Sequence, residues 1–415
     1  MTPVSSIKHT ISAREIPSAV RRIVTKLEDN GYDSKIVGGC IRDLLLDRKP
    51  KDFDVVTEAR PNQIKGLFPS SRIIGRRFKL VHVRSGKNTI EVSTYRRRTG
   101  RPSGKAIHRH LNLYGSVDED YWTRDFTVNS LYYDCKAGEI LDYVGGLNDI
   151  DQGVLRCIGK PRRRIVEDPC RILRAARFIA KLPLALDLEL EEAIYENRNL
   201  ISQLKPARLQ NEMEKMFLTG SAVSTYQALH DLDLLQILFP QSTDNSPLAL
   251  AAMQSTDFRF SENKPVKLGF LIAAIHWEQF RRLGRYDPSG RMSIDKAMES
   301  AECIIKRQRE TLSMPLHIRD FVRDMWILQT QIERTRPKRV KQLLEHMRFR
   351  AAYDLLVLRA SVGDADASMA QWWTDLQEMD EPQQDAAIVK KERRHRQKRN
   401  RQRDPVALPS AAVSN

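Results

Sequence analysis

The chain has 415 residues, with 69 lysines and arginines against 53 aspartates and glutamates, so its net charge is +16. This excess indicates a polyanionic partner, and RNA is favoured over a membrane because no basic helix with bulky apolar anchors accompanies the charge. No run approaches the ~20 apolar residues that span a bilayer, and the first nine residues lack the apolar core of a secretory signal. Five scattered cysteines argue against a disulfide framework or zinc site, so we expect a reducing cytoplasm. A chain of this length fits two to four structural units.

The first predicted element is a helix over residues 17–29, in which four apolar residues recur at helical spacing. Short β-branched runs then alternate with helices up to about residue 160, which predicts a small mixed sheet in an α+β head. The predicted strands are 35–37, 53–56, 80–83, 89–94 and 130–134. Residues 96–110 are basic and have no periodicity, so we predict a mobile loop near an RNA primer.

The most informative stretch lies between the first two strands, where Gly38 and Gly39 precede a predicted helix. Backbone amides at such a junction can cradle a triphosphate, and Arg42 would reach the phosphates. Asp52 and Asp54 follow with one residue between them, so on a strand both point to the same face. Adjacent carboxylates repel each other unless a cation lies between them, and oxygen ligands suit magnesium. The competing interpretation is an aspartate-rich turn at a strand edge.

From residue 167 onward the sequence has helical periodicity, and strand-type alternation is scarce. The predicted helices are 171–181, 189–197, 207–218, 223–229, 267–283, 294–308, 318–332, 339–344 and 351–360. A segment with proline and serine at 239–247 predicts an internal boundary, and residues 381–384 predict the end of folded structure. The basic run after Val389 has low complexity, so we predict a disordered tail.

These changes divide the chain into five predicted parts, each with its own composition. They are an N-terminal helical segment (1–30), a catalytic head (31–160), a helical neck (161–225), a helical body (226–380) and a basic tail (381–415). The sequence therefore predicts a mixed-sheet α+β head followed by an all-helical neck and body with a disordered tail.

The pattern GG-x-x-R-D followed by D-x-D, at residues 38–54, resembles the head of the class II nucleotidyltransferases. This family contains the tRNA CCA-adding enzymes and the bacterial poly(A) polymerases. Three further blocks follow in the family's order: 123–131 (TRDFTVNSL), 142–149 (DYVGGLND) and 167–178 (EDPCRILRAARF). Four ordered blocks make a chance match very unlikely.

Within the family, residues 73–83, 349–356 and 371–373 resemble the poly(A) polymerase branch, as does the basic tail. The sequence departs from that branch at Cys40, where a third glycine is usual, and at Thr123, which replaces the first arginine of an R-R-D block. We interpret both as tolerable variation. The resemblance implies transfer of AMP from ATP to RNA 3′ ends with release of pyrophosphate, and a role in RNA decay and mRNA processing.

The resemblance also implies roles for individual residues. Asp52 and Asp54 would hold two magnesium ions, one activating the primer 3′-hydroxyl and one neutralising the leaving phosphates. The third carboxylate would be Asp125 or Glu91, and this alternative stays open. The residues implied in nucleotide binding are Gly38, Gly39, Arg42, Arg124, Asn129, Glu167, Asp168, Arg171, Arg174 and Arg177.

The tail supplies the residues predicted to bind RNA through phosphate charge. They are Lys390, Lys391, Arg393, Arg394, Arg396, Lys398 and Arg399. RNA 3′ ends are the expected partner and RNA-decay proteins are possible further partners, whereas nothing in the sequence requires more than a monomer. We interpret His82 as structural, and the pair Trp372 and Trp373 as core rather than a stacking surface.

Two alternative functions are open at this point. A CCA-adding enzyme shares the 123–131 block, although residues 75–83 and the tail argue against it. A non-catalytic RNA-binding protein with a retained head is disfavoured by the intact pair Asp52 and Asp54, since a lapsed site would not need clustered carboxylates.

Overall fold

The computed structural model describes residues 5–7, 11–12, 14–75, 79–86, 88–97, 114–284, 292–312, 314–334 and 339–401, and their side chains except those of 5–7, 392 and 394–401. It divides into two compact units, Met1–Ile201 and Ser202–Asn415. The first unit contains the sheet and the second is helical, which confirms the predicted fold class of a mixed-sheet head followed by a helical body. The division between the units falls inside the predicted neck at 161–225.

The first unit is built on an eight-stranded mixed sheet. Its strands are β1 (Ser5–Ile7), β2 (Ser34–Val37), β3 (Asp54–Thr57), β4 (Ser71–Ile74), β5 (Leu80–Ser85), β6 (Asn88–Thr94), β7 (Leu131–Asp134) and β8 (Glu139–Asp142). They lie in the order β1-β8-β7-β2-β3-β6-β5-β4, and β3 and β6 are parallel while the other neighbours are antiparallel. Val37 at the end of β2 pairs with Asp54 at the start of β3. The glycine turn and the carboxylates therefore meet where these two central strands end and begin.

All five predicted strands are confirmed, and β1, β4 and β8 were missed because each is too short to give a clear alternation. The helices of this unit are α1 (Ser18–Asp29), α2 (Gly39–Leu45), α3 (Pro61–Leu67), α4 (Val117–Asp120), α5 (Gly146–Asp151), α6 (Pro161–Glu167), α7 (Cys170–Lys181) and α8 (Leu188–Asn197). Two further short strands, β9 (Val154–Leu155) and β10 (Ala185–Leu186), form a separate parallel pair. Helix α1 buries Val20, Ile23, Val24 and Leu27 against β2 and β3, at about 1.5–3 kcal/mol for each side chain.

The second unit has no strand among its described residues. Its helices are α9 (Pro206–Phe217), α10 (Ala222–Asp231), α11 (Leu235–Leu238), α12 (Pro247–Ser261), α13 (Leu268–Ile275), α14 (Trp277–Gly284), α15 (Ile294–Thr311), α16 (Leu316–Arg334), α17 (Val340–Leu344), α18 (Phe349–Ser361), α19 (Ala367–Glu378) and α20 (Glu381–Arg401). Helix α16 packs against α13, α15 and α18. The single helix predicted at 267–283 is wrong, because the chain turns at His276 between α13 and α14. The buried imidazole of His276 contacts the side chains of Gln279 and Gln308, which fixes this turn.

The prediction that folded structure ends at residue 381 is also wrong, since α20 runs from Glu381 to Arg401. The first half of α20 packs on the body: Ile388 is buried in a cluster with Trp373 and Leu376. The Nζ of Lys341 lies 2.9 Å from a carboxylate oxygen of Asp385. A basic composition lowers the tendency to form a core, but apolar and acidic residues in the first turns of α20 attach it to its neighbours. Residues 402–415 lie outside the described residues.

None of the described helices is long and apolar enough to cross a membrane. All five cysteines are free. Trp373 is fully buried and confirms its interpretation as a core residue, whereas Trp372 is half-buried. Residues 98–110 of the predicted loop and 76–78 of the polymerase-type block lie outside the described residues.

Candidate active site

The turn between β2 and α2 depends on glycine at position 38. Gly38 has φ +89° and ψ −138°, a conformation that side-chain-bearing residues rarely adopt. A Cβ on Gly39 would lie 3.3 Å from a guanidinium nitrogen of Arg42, so the arginine lies close over the turn. Cys40 points into the core, where its Sγ donates to the carbonyl of Val37 at 3.5 Å. Burial raises the pKa of this thiol to about 12, which keeps it uncharged.

Three carboxylates gather beside this turn. Asp52 is exposed just before β3, and Asp54 pairs with Glu91 in the parallel register of β3 and β6. Burial, then the negative charges of Glu91 and Asp52, raise the pKa of Asp54 to about 6, and the positive charge of Arg124 only partly opposes them. No lysine or arginine in the described part of the chain lies within 4.0 Å of these three carboxylates. The site therefore concentrates negative charge without neutralising it.

This donor set fits a magnesium ion that is completed by other ligands. Among the described residues, no three His, Cys, Asp or Glu side chains are close enough to hold an ion by themselves. Magnesium commonly binds through one or two carboxylates and takes its remaining ligands from water and substrate phosphates. Asp52 and Asp54 supply such a pair, and their mutual repulsion would be relieved by a cation.

Arg42 is fixed beside the turn before any ligand arrives. Its side chain is buried, and its Nε and Nη2 donate to the Asp43 carboxylate at 2.9 and 2.6 Å. Its Nη1 donates to the side-chain oxygen of Asn129. The guanidinium carbon also lies 5.1 Å from the centroid of the Phe178 ring. Hydrogen bonds to two side chains and contact with one ring face therefore leave Arg42 little rotational freedom.

Arg124 is held in a second network. Its Nε and Nη2 donate to Asp120 at 3.0 and 2.8 Å, and its Nε lies 2.8 Å from the hydroxyl of Tyr132. The Tyr132 hydroxyl donates to the same Asp120 carboxylate at 2.8 Å. Thr123 occupies the place of the first arginine in the family block, and its hydroxyl donates to the Asp120 carbonyl. Asp120 is buried and therefore positions Arg124.

Both carboxylate oxygens of Asp125 accept hydrogen bonds from the protein. Its Oδ2 accepts from the Nε of Arg174 at 2.6 Å, and its Oδ1 accepts from the Phe126 amide and the Asn129 side chain at 2.9 and 3.2 Å. Burial by itself would raise the pKa of Asp125, but Arg174 and these hydrogen bonds lower it below its usual value. The structure therefore joins Asp125 to Arg174, while it places Glu91 beside Asp54.

The block at 142–149 contacts the block at 123–131 and holds it in place. The carboxylate of Asp142 accepts four backbone amides from residues 144–147 and so caps α5. A Cβ on Gly146 would lie 2.4 Å from the carbonyl oxygen of Thr127, so only glycine permits this contact. Asp149 accepts from the Thr127 hydroxyl at 2.6 Å. These contacts fix the 123–131 block that carries Arg124, Asp125 and Asn129.

Helix α7 brings its arginines to one aromatic ring. The guanidinium carbons of Arg174 and Arg177 lie 5.8 and 4.5 Å from the Phe178 centroid, so with Arg42 three cations surround this ring. Arg171 is buried and donates to the backbone of Arg164, which gives it a structural contact. Cation–π contacts of this kind contribute roughly 0.5–2 kcal/mol each.

Glu167 and Asp168 lie where α6 ends and α7 begins. Glu167 accepts from Arg163 and Arg164 at 3.0 and 3.2 Å, and Asp168 accepts from the Cys170 amide at 3.2 Å. At the other end of α7, burial and the positive charges of Arg177, Lys51, Arg48 and Arg42 lower the pKa of Lys181 to about 8. Arg48 also donates to the Lys181 carbonyl at 2.7 Å. Cations from α7, from α2 and from the segment after α2 thus gather around Lys181.

Models of known families match three parts of the chain. They are the poly A polymerase head domain at residues 34–156, a probable RNA- and SrmB-binding site of polymerase A at 184–245, and the arginine-rich C-terminus of polymerase A at 289–406. A poly(A) polymerase I of Salmonella typhi is 37% identical over 92% of this chain and 87% of its own length. The chain belongs to the poly(A) polymerase I family.

Membership confirms the predicted polynucleotide adenylyltransferase activity, and it makes this protein a nucleotidyltransferase that polyadenylates RNA. The CCA-adding branch is more distant: an enzyme of Lactobacillus helveticus is 34% identical over 51% of this chain and 53% of its own length. A solved CCA-adding enzyme of Bacillus stearothermophilus, in complex with CTP, has a TM-score of 0.60 at 22% identity, covering 85% of this chain and 79% of that one. The two branches therefore share a fold.

Sequence reasoning missed several residues of this candidate site. Asp43 and Asp120 orient Arg42 and Arg124, Phe178 anchors three arginines, and Lys181 adds a cation of lowered pKa. The first two are acidic neighbours of motif arginines along the chain, which is the signal that could have found them. No pattern marks Lys181, because its environment is assembled from distant segments.

The predicted tail residues lie on α20 in the second unit. Lys390 and Arg393 are exposed, and the Nζ of Lys391 lies 3.5 Å from the centroid of the Trp372 ring. The side chains of Arg394, Arg396, Lys398 and Arg399 lie outside the described residues. His82 faces Glu91, with its Nε2 3.9 Å from the carboxylate, and is about one-third exposed rather than a core residue.

Proposed function

We propose that the enzyme adds AMP from ATP to RNA 3′ ends without a template, by a two-magnesium mechanism in the site around Asp52 and Asp54. The single observation that carries this proposal is the cluster of Asp52, Asp54 and Glu91, which has no lysine or arginine within 4.0 Å among the described residues. Magnesium ions held there would polarise the primer hydroxyl and neutralise the phosphates that leave. The chain itself then has to bind, orient and select the nucleotide.

The nucleotide would bind with its triphosphate at the turn of Gly38 and Gly39. Arg42 is already oriented there by Asp43 and Asn129, so it would lose little conformational freedom on binding phosphate. In the transfer, a bond forms between the primer 3′ oxygen and the α-phosphorus. The bond from that phosphorus to the β-phosphate oxygen breaks, pyrophosphate leaves with the electron pair, and the hydroxyl proton passes to water.

The base would be read by Arg174 and Arg177, supported by Glu167 and Asp168. Arg174 is held by Asp125, and a planar guanidinium in a fixed orientation can pair with a base edge through two hydrogen bonds. We propose Asp125 as the positioning residue for Arg174, and Glu91 as the third carboxylate. The opposite neighbourhoods of these two acids support this assignment, since one is neutralised by an arginine and the other faces Asp54.

The wider role that we propose is RNA decay and mRNA processing in the cytoplasm. One family model that matches residues 184–245 describes a probable RNA- and SrmB-binding site, so proteins of RNA decay are candidate partners. The net charge of +16 would favour RNA binding through phosphate contacts. Addition of CCA to tRNA is the alternative, supported by the shared fold.

The decisive experiment offers the purified protein an unstructured RNA primer, or a tRNA that lacks its terminal CCA, with magnesium and either each NTP separately or CTP and ATP together. We expect long tails from ATP alone on the unstructured primer. Addition of two C residues and one A residue to the tRNA, without tails on the primer, would contradict polyadenylation. The Glu91→Gln and Asp125→Asn variants then separate the two candidate acids: the first should abolish transfer of every nucleotide, and the second should mainly relax the choice of nucleotide.

A further inference from the structure

The second unit contains a cleft that the proposed catalytic site does not use. Its volume is about 240 Å³. The residues that line it come from α12, α13, α16, α18 and the segments before α13 and α18, and the ones that matter here are Arg259, Lys267, Phe270, Phe321, Met347, Arg348, Arg350 and Asp354. Three of its residues, Arg350, Ala351 and Asp354, belong to the 349–356 block that resembles the poly(A) polymerase branch. The catalytic site gives that block no role.

The floor of the cleft is apolar and rigid. Phe321 is 6% exposed, and a Cβ on Gly269 would lie 2.9 Å from its ring, so the ring packs directly on the backbone of α13. Phe270 is half-buried beside it. Met347 stands at the rim with 80% of its surface exposed. A flexible thioether above an aromatic floor is suited to pack against a flat ring.

The walls carry more positive than negative charge. Arg259 and Arg350 share one carboxylate, that of Asp354, at 3.4 and 3.1 Å. Lys267 and Arg348 have no carboxylate within 4.0 Å in the part of the chain that the structure describes. Both instead lie over the Phe321 ring, at 5.2 and 5.1 Å from its centroid. The Nε of Arg348 is buried and has no hydrogen-bond partner among the described residues.

We propose that this cleft binds one nucleotide of single-stranded RNA upstream of the 3′ end, with its phosphate on Lys267 and Arg348 and its base against Phe270 and Met347. The inference rests on RNA being the substrate under the proposed function. The cations provide the charge that a phosphate requires, and aromatic and apolar side chains provide the stacking surface that all four bases share. The volume of 240 Å³ lies below the roughly 300–1,000 Å³ of drug-sized pockets, which suits a single nucleotide unit.

The assignment gives the enzyme a second, sequence-independent contact with RNA. A growing tail presents the same unit, a base and a phosphate, at every position. One subsite that binds any such unit would hold the tail while the 3′ end moves through the catalytic site. An extended single strand can enter the cleft, whereas a paired base has its neighbours stacked on both faces.

The test measures binding of the full-length protein to a fluorescent single-stranded oligo(A) RNA across a salt series, without ATP. Because no transfer occurs, the result does not depend on the catalytic proposal, which fails separately if the unmodified enzyme makes no tails. We expect the double variant Lys267→Gln, Arg348→Gln to bind about tenfold more weakly. The slope of log affinity against log salt should fall by about 0.7, the value for one phosphate contact on a single strand.

A second variant separates the base from the phosphate. Met347 is exposed, so Met347→Ala leaves the fold intact. It should weaken oligo(A) binding roughly fivefold without changing the salt slope, and it should not affect an oligomer whose sugars lack bases. The matched control is Lys306→Gln, which removes an exposed cation of α15 away from the cleft.

The proposal is overturned if the double variant and the control have the same affinity and salt slope for oligo(A). In that case the cleft does not take RNA, and an acidic peptide becomes the occupant to examine. A second outcome also overturns the proposal. If the double variant loses affinity but Met347→Ala changes the affinity for oligo(A) and for the baseless oligomer by the same factor, the base lies elsewhere. Unchanged thermal melting of each variant confirms that the effects are not due to unfolding.

Discussion

Two aromatic rings in this molecule gather cations, and the cations are held in different ways. Around Phe178 in the first unit, Arg42 is bonded to Asp43 and Asn129, and Arg174 to Asp125. Around Phe321 in the second unit, neither cation has a carboxylate partner among the described residues. The same contact of cation and ring therefore serves two purposes.

The difference lies in orientation. A guanidinium fixed by a carboxylate presents its donors in one direction, so it can distinguish one base edge from another. A cation that rests only on a ring face keeps rotational freedom and contributes charge, which attracts any phosphate but selects nothing. We therefore expect specificity to depend on the first unit, and general affinity for RNA to depend on the second.

The largest effect that this comparison predicts is the loss of transfer without loss of RNA binding. Asp54→Asn or Asp52→Asn removes a carboxylate from the cluster and should lower kcat about a thousandfold or more, equivalent to roughly 4 kcal/mol of barrier. Oligo(A) affinity should change less than twofold. Glu58→Gln is the matched control, since it removes an exposed acid just beyond the other end of β3. Substantial activity in the Asp54 variant would refute its assignment as a metal ligand.

The next effect should appear in the choice of nucleotide. Arg174→Lys keeps the charge but cannot form two parallel hydrogen bonds, so discrimination for ATP over the other NTPs should fall by about 5- to 150-fold, or 1–3 kcal/mol. Asp125→Asn should act in the same direction, because it releases Arg174. Arg162→Lys, in the surface pair with Glu196, provides the control. If selectivity in both variants equals that of the unmodified enzyme, Arg174 does not read the base.

A smaller effect should depend on pH through Lys181. The pKa of its amine is lowered to about 8 by burial and by the cations around it. Below about pH 8 the amine is charged and attracts the triphosphate, and above it the amine is neutral, so kcat/KM for ATP should fall a few-fold between pH 7 and 9. Lys181→Arg keeps its charge and should remove this alkaline fall. Lys181→Gln should have the lower kcat/KM for ATP at both pH 7 and pH 9. An unchanged profile in Lys181→Arg would assign the titration to another group.

The smallest effects concern α20. Deleting residues 392–415 removes basic residues but keeps the docked turns, so it should weaken RNA binding and lower its salt slope while single-nucleotide addition at saturating RNA persists. Deleting 381–415 also removes Ile388 and the partners of Lys341, so we expect the melting temperature to fall by about 4–8 °C. Equal melting temperatures for the two truncations would mean that the docked turns contribute nothing to stability.

Much of the site could be predicted from sequence because its residues act over short distances along the chain. The turn at Gly38 and the pair of Asp52 and Asp54 depend on local backbone geometry, which motif spacing records. The partners of the arginines could be predicted less well. Asn129 meets Arg42 across 87 residues and Asp125 meets Arg174 across 49, and no local pattern encodes such pairs.

By itself the sequence determined the α+β head, the helical body, the family blocks and the positive charge, because hydrophobic periodicity and short motifs are local properties. Tertiary structure decided which acid accompanies Asp54: the register of β3 and β6 brings Glu91 there, while burial commits Asp125 to Arg174. It also attached α20 to the body, against the prediction of a tail beginning at residue 381, because Ile388 finds an apolar neighbourhood that its own segment does not contain. Burial and charge at a given atom are set by residues distant in the chain, and only the folded molecule brings them together.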